Sequence, residues 1–353
     1  MSAQPRSALS FYWGSIIFSV LAVVAGFALG GIEMAFLVAV LAILETSLSF
    51  DNAVVNAKIL ANWDERWRRI FLTWGIWIAV FGMRVVFPIL IVTIATGIGP
   101  VQVIDMALNR PDEYATAMTA IHHQVAGFGG TFLLMVALGF FFEDKGVYWL
   151  GWAERKVARF GQIEGISAAV ALTALILMTN VFENRDTAVE FLYSGVWGLI
   201  AYIISHGLGT LLGGTEADAE TGAEEGAGNG GTFVKAGLAG FMYLEILDAS
   251  FSFDGVIGAF ALTNYLPVIA LGLGVGAFFV RSMTLHLVHA GTLGQFRYLE
   301  HGAFYAILVL AGLLYASAPG YHIPEWITGL LGAALILISL GHSILANRRD
   351  RNS

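Results

Sequence analysis

Two stretches decide the fold: Leu41-Ala-Ile-Leu-Glu45-Thr-Ser-Leu-Ser49-Phe50-Asp51-Asn52-Ala-Val54, and Leu244-Glu245-Ile-Leu-Asp248-Ala-Ser-Phe-Ser252-Phe253-Asp254-Gly255-Val-Ile257. At one constant offset Leu41 matches Leu244, Glu45 matches Asp248, Ser47 matches Ser250, and Ser49-Phe50-Asp51 matches Ser252-Phe253-Asp254. Both stretches are otherwise apolar, so each reads as a helix that carries acids where a helix in lipid should have none. The likeness extends into the next spans, with Arg84 in Phe81-Gly-Met-Arg84 and Arg281 in Phe278-Phe-Val-Arg281. Gly129-Gly130-Thr-Phe-Leu-Leu and Phe304-Tyr-Ala-Ile-Leu are weaker third members. The unit is a block of three helices that occurs twice.

Composition supplies the setting. The chain has 353 residues, 57% of them hydrophobic and 12% charged, with 42 glycines and no cysteine. A soluble domain carries about 25% charged residues to solvate its surface, so this chain reads as an integral membrane protein. Windows of about 20 residues, the length that crosses the hydrocarbon core, predict about ten transmembrane helices near 11–31, 34–60, 70–97, 125–142, 166–183, 191–212, 234–262, 266–290, 302–318 and 325–346. The fold class is an all-α polytopic membrane protein. Its expected layout is an N-terminal anchor helix (1–32), a first repeat (33–145), connecting helices with an acidic loop (146–232), a second repeat (233–320), and a C-terminal helix with a basic tail (321–353).

Charge sets direction. Arg66, Arg68 and Arg69 follow the second span, Lys145, Arg155, Lys156 and Arg159 the fourth, and Arg348, Arg349 and Arg351 the tenth; Arg297 lies between the eighth and ninth. The intervening loops hold only Arg110 and Arg185. Ten spans put every cluster on one side, the cytoplasm by the positive-inside rule. The expectation is a multi-pass protein of the inner (plasma) membrane with both termini cytoplasmic. The two acidic stretches, an odd number of spans apart, then cross in opposite directions. That is the inverted repeat of secondary transporters.

The intramembrane acids are the candidate site. An ionisable group at the bilayer centre costs roughly 2.5–3.5 kcal/mol on insertion scales, so Glu45, Asp51, Glu245, Asp248 and Asp254 must face protein or water. On an ideal helix Glu45, Ser49 and Asn52 share a face, with Asp51 roughly 120° away. A helix broken near Asn52 and Gly255 would bring the acids to one centre. Hard oxygen donors suit Mn2+, Ca2+ or Mg2+, and a protonated carboxyl can exchange its proton for a metal. Arg84 and Arg281 are the charge-balancing partners; two arginines leave part of five acids uncompensated. The alternative is that the acids only hold helices together.

Other polar features are secondary. His286 and His289 could ligate metal, relay protons, or pack helices; His122, His123 and His206 read as interfacial. The acidic run at 216–231 is a solvated tether or a weak cation-gathering segment. Glu183-Asn184-Arg185-Asp186 is an outside loop or part of an exit path. Trp63, Trp67, Trp149 and Trp152 fit an aromatic belt. There is no basic face for nucleic acid, no phosphate loop, no serine nucleophile motif and no HExxH pattern. No permanently bound cofactor and no enzymatic activity are expected, and an intramembrane enzyme with paired aspartates is the least favoured reading.

Ser49-Phe50-Asp51-Asn52-Ala53-Val54 and Phe251-Ser-Phe-Asp254-Gly255-Val256-Ile257-Gly258 resemble the TerC-like integral membrane family, most closely its DUF475 branch, over spans two to four and seven to nine. That resemblance implies kinship with LysE-type transporters and export of manganese or another divalent cation. It places Glu45, Asp51 and Asn52 in the first family motif and Asp248 and Asp254 in the second; Gly255 and Glu245 depart from it. The expected function is a secondary transporter exporting a divalent cation, Mn2+ first, with proton exchange. The alternative is a membrane scaffold of a metal or tellurite stress-response complex. The oligomeric state is left open by the sequence.

Overall fold

The computed structural model describes residues 8–61, 63–75, 77–212, 237–290, 296–321 and 323–352. The acidic run at 216–231 lies outside the described residues. Every assigned element of the described chain is helical. In order they are α1 (Trp13–Leu48), α2 (Phe50–Ala61), α3 (Glu65–Ile70), two π-helical stretches (Phe71–Gly75 and Ile78–Val86), α4 (Phe87–Thr96), α5 (Pro100–Asn109), α6 (Pro111–Ala120), α7 (His122–Phe142), α8 (Gly151–Phe160), α9 (Ile166–Thr179), α10 (Arg185–Leu212), α11 (Leu238–Leu262), α12 (Leu266–Ala290), α13 (Leu299–Ser317) and α14 (Glu325–Asn352).

α1 is two arms. Gly31 has φ 72°, ψ −155°, a conformation essentially confined to glycine, and Gly30 is also non-helical. In a straight helix residues 26 and 38 would be about 18 Å apart. Here a Cβ on Gly26 would lie 2.9 Å from Val38 Cγ2, so the arms fold back on each other. The expected first and second spans are therefore distinct arms of one hairpin.

Among the described residues six helices are long and apolar enough to cross a membrane, or seven if the stretch Glu65–Gly75 plus Val80–Thr96, bent by 46°, is one span. The chain is a multi-pass membrane protein. The ten sequence windows differ from this count at three places. The two arms of α1 count once, α9 has only 14 residues, and α11 carries Glu245, Asp248 and Asp254, too many charges for an apolar span. Between the third and fourth windows the structure adds the short hairpin α5–α6, pinned by Arg110 to Asp105 (3.0 Å) and Glu113 (2.9 Å). The polar stretch before α10 caps it, Asn184 Oδ1 accepting from the Asp186 amide at 2.8 Å.

Two apolar clusters form the interior. One gathers Val54, Leu60, Phe132, Leu175, Phe191, Leu247 and Ile307; the other gathers Val38, Leu41, Val92, Met118, Val256 and Ile269. The α1–α2 path runs from the second cluster (Leu41, Ala42) to the first (Val54, Val55), while α11 runs from the first (Leu244, Leu247) to the second (Val256, Ala259). The segment from Phe71 to Val92 runs from first to second, and α12 runs the reverse way. The matching stretches of sequence therefore meet the two clusters in opposite order along the chain. Their acids fall at or beside the changeover.

At one end Glu154 of α8 ties several elements together. It accepts from the Trp149 (3.1 Å) and Leu150 (3.0 Å) amides and the Tyr305 hydroxyl (3.1 Å), and lies 3.3 Å from His301 Nε2. Lys58 of α2 pairs with Glu300 of α13 nearby (2.7 Å). Burial pushes the Glu154 carboxyl up, but the His301 contact and the two amides outweigh it and hold it at about 2.

Two outcomes are expected. Gly31→Ala should lower stability by about 1–3 kcal/mol, whereas Gly341→Ala, in open space on α14, should be neutral or stabilising; unfolding midpoints in detergent read the contrast. The Glu154 contribution is complete above its unfolded value of 4.5 and is lost as pH falls towards 2. Glu154→Gln should therefore flatten the acid limb of the stability profile and leave its alkaline limb unmoved.

Candidate functional site

Glu45 ends the second arm of α1. Its Oε1 lies 2.6 Å from Arg84 Nη2, and both side chains are 4% exposed. Arg84 also donates through Nε to the Leu273 carbonyl at 2.8 Å. Arg281, on α12, donates through Nε to the Leu72 carbonyl. Arg84 thus reaches a backbone oxygen on the helix that carries Arg281, and Arg281 reaches one in the π-helical stretch Phe71–Gly75 that precedes the π-helical stretch carrying Arg84. Such π-helical geometry recurs at functional sites.

The helix break that the sequence placed near Asn52 falls instead at Ser49, between α1 and α2 (φ −96°, ψ 20°). No break occurs at Gly255, because α11 is helical throughout Leu238–Leu262. Gly255 serves another purpose: a Cβ there would lie 2.7 Å from Glu45 Oε2, and one at Gly276 would overlap Glu45 Cγ. Two glycines from α11 and α12 thus make the slot that receives the Glu45 carboxylate.

The expected single centre is two cavities that meet at Asn52. The first, about 40 Å3, is bounded by Glu45, Ser49, Asp51, Asn52, Gly255 and Thr328. The second, about 30 Å3, is bounded by Asn52, Asn56, Asp248, Ser252, Thr284 and both arginines. Each has room for one water-sized occupant. In the first, Asp51 Oδ1 accepts from the Asn52 amide (2.9 Å) and Gly332 of α14 closes over Oδ2. In the second, Asn56 donates to Asp248 Oδ1 at 2.8 Å, while its own Oδ1 is a buried acceptor with no donor. Asp248 also lies within the field of Arg84.

Among the described residues no three His, Asp or Glu side chains converge as a metal cage does. The oxygen donors are shared among carboxylates, amides and hydroxyls. The Asp254 side chain lies outside the described residues. Glu245, 4% exposed, borders neither cavity. His286 and His289 are also elsewhere. His286 meets the Tyr12 hydroxyl (3.2 Å) and stacks on Phe11, and His289 meets its own helix carbonyl at Leu285 (2.9 Å). His122 meets Ser317, His123 meets Glu190, and His206 stacks on Tyr202.

Sequence reading passed over Asn56, Thr284 and Glu154. Asn56 follows Asn52 by one helical turn, a polar pair on one face that would have signalled it. Thr284 has no such local sign. A further cavity of about 690 Å3 lies apart from these residues at the ends of α7–α10, lined by Glu143 and Asp144 and by Arg155 and Arg159. It is open and its charges offset one another. The two small cavities instead gather the acids of the repeated motif, Asp51 beside the Glu45–Arg84 pair in one and Asp248 with both arginines in the other, and are the candidate site.

The family model described as protein of unknown function (DUF475) matches residues 50–350. No curated protein and no solved structure matches the chain.

Removing the Arg84 charge should leave Glu45 buried and unpaired. Arg84→Met is expected to cost about 3–5 kcal/mol, with a large part recovered in Glu45→Gln/Arg84→Met; additive losses in unfolding measurements would show that the pair is not coupled.

Proposed function

We propose, for a chain that belongs to the DUF475 family, that it is a secondary transporter exporting a divalent cation, Mn2+ first and Ca2+ or Mg2+ as alternatives, in exchange for protons. The single observation that carries this reading is the pair of oxygen-lined cavities meeting at Asn52 inside a multi-pass membrane protein. Asp51 and Asn52 offer oxygens on one side; Asp248, Asn56 and Ser252 offer them on the other. Such a hard donor set suits these ions. Asp254 joins it by its place in the second motif, and Glu45 with Arg84 sets the field. A cation passing Asn52 would exchange one carboxylate for another without leaving oxygen ligands.

Three features support an inverted repeat of three-helix units. They are the opposite order in which the matching stretches meet the two apolar clusters, the reach of Arg84 and Arg281 to backbone oxygens, and the repeated motif itself. On this reading about ten spans cross an inner membrane with both termini cytoplasmic, and the chain is kin to TerC-like and LysE-type transporters. A membrane scaffold of a metal or tellurite stress-response complex is the second reading. The glycine-cradled Glu45–Arg84 pair favours it, since that pair also suits a purely structural role.

Mn2+ flux into proteoliposomes tests the proposal. Asp51→Asn, Asp248→Asn and Asp254→Asn should each reduce flux by ~10–100-fold, the range seen when a metal site loses a supporting group, and an opposing pH gradient should drive the wild type. Well-folded wild type that moves none of Mn2+, Ca2+ or Mg2+ would leave the scaffold reading in its place.

A further inference from the structure

Glu245 is the buried acid that the cation path leaves unused. It is 4% exposed, and among the described residues neither of its carboxyl oxygens has a hydrogen-bond partner. It lies between Leu244 and Leu247, both fully buried in the first apolar cluster. A Cβ on Gly75 would sit 3.0 Å from Glu245 Oε1, and Gly75 also lines the Asp248 cavity. The carboxyl therefore lies against a residue of the cavity wall, in the π-helical turn Phe71–Gly75.

The charges around it are few. Asp248 follows on the same helix; Arg84 comes from the π-helical stretch, engaged with Glu45, and Arg281 from α12, engaged with the Leu72 carbonyl. Tyr202 of α10 stacks on His206 and meets Tyr243 of α11 edge-on, and the α7 histidines, His122 and His123, bond Ser317 and Glu190. Burying a carboxylate without a hydrogen-bond donor is costly, and a bound proton removes that cost.

Resting on the transport reading, we propose that Glu245 is the proton-binding group of this protein, protonated while the Asp248 cavity is empty and ionised when a divalent cation fills it. The cation's charge, in the cavity that Gly75 lines, favours the carboxylate. The proton leaves for water as the cation enters, and a proton returns from water when the cation departs. One O–H bond breaks and reforms, and no other bond changes. By linkage, protonation of Glu245 weakens cation binding by the same factor that the cation weakens protonation.

Infrared difference spectra of the purified protein, with and without Mn2+, test this without any transport. The carbonyl stretch of a protonated carboxyl should vanish on adding Mn2+ to wild type and be absent from Glu245→Gln. Asp248→Asn should keep the band but lose its response to Mn2+. In proteoliposomes with an internal pH dye, Glu245→Gln should carry Mn2+ without proton counterflow. A Mn2+-sensitive band that survives in Glu245→Gln, or proton counterflow that survives there, overturns the assignment and leaves cation export standing. Wild type without flux, but with a Glu245-dependent band erased by Mn2+, removes export and supports the proton site.

Discussion

A buried carboxylate inside a membrane protein must be neutralised or it will not fold into place, and at Glu45 the Arg84 guanidinium does this at 2.6 Å with both groups out of solvent. Much of the surrounding architecture follows from that pair. Arg84 also holds the Leu273 carbonyl, which fixes α12 beside it. Glu45 needs a slot wide enough for its stem, and Gly255 and Gly276 make it by presenting backbone where any side chain would collide. Small residues at such a contact let helices approach closely. The cost of burying two charges thus becomes a geometric rule for four separate segments.

The remaining acids obey the same constraint by different means. Asp51 leans on the Asn52 amide and Asp248 on the Asn56 side chain, whose free oxygen then points into the interior without a donor. Among the described residues Glu245 has no partner of either kind. Acids held by a guanidinium, by amide donors, or by nothing differ in how readily they accept a cation or a proton.

Much of this was legible in the chain. The Ser-Phe-Asp repeat with its upstream acids and the lone arginines marked the residues around both cavities, because only compensated or functional charges persist in apolar helices. The apolar windows put a boundary between 31 and 34, and the structure turns there at Gly31, in a conformation that glycine alone tolerates. Other features were not readable. Gly255 looked like a helix breaker, yet it is a contact surface, and local sequence does not distinguish the two. The break fell at Ser49, where neither glycine nor proline announces it. Nothing in the local sequence singles out Glu154, because its partners His301 and Tyr305 come from α13, far along the chain.

The sequence by itself determined the membrane setting, the helical class, the repeated acidic stretches and the residue types available to a cation. These depend on composition and on spacing along one helix, which local chemistry records. The tertiary structure alone decided that the acids divide between two cavities joined at Asn52, that Arg84 faces Glu45, and that Glu245 lies against a residue of the cavity wall. Those outcomes depend on the approach of helices far apart in the chain. Close packing at glycines and the need to satisfy each buried charge set that approach, and neither is written in any single segment.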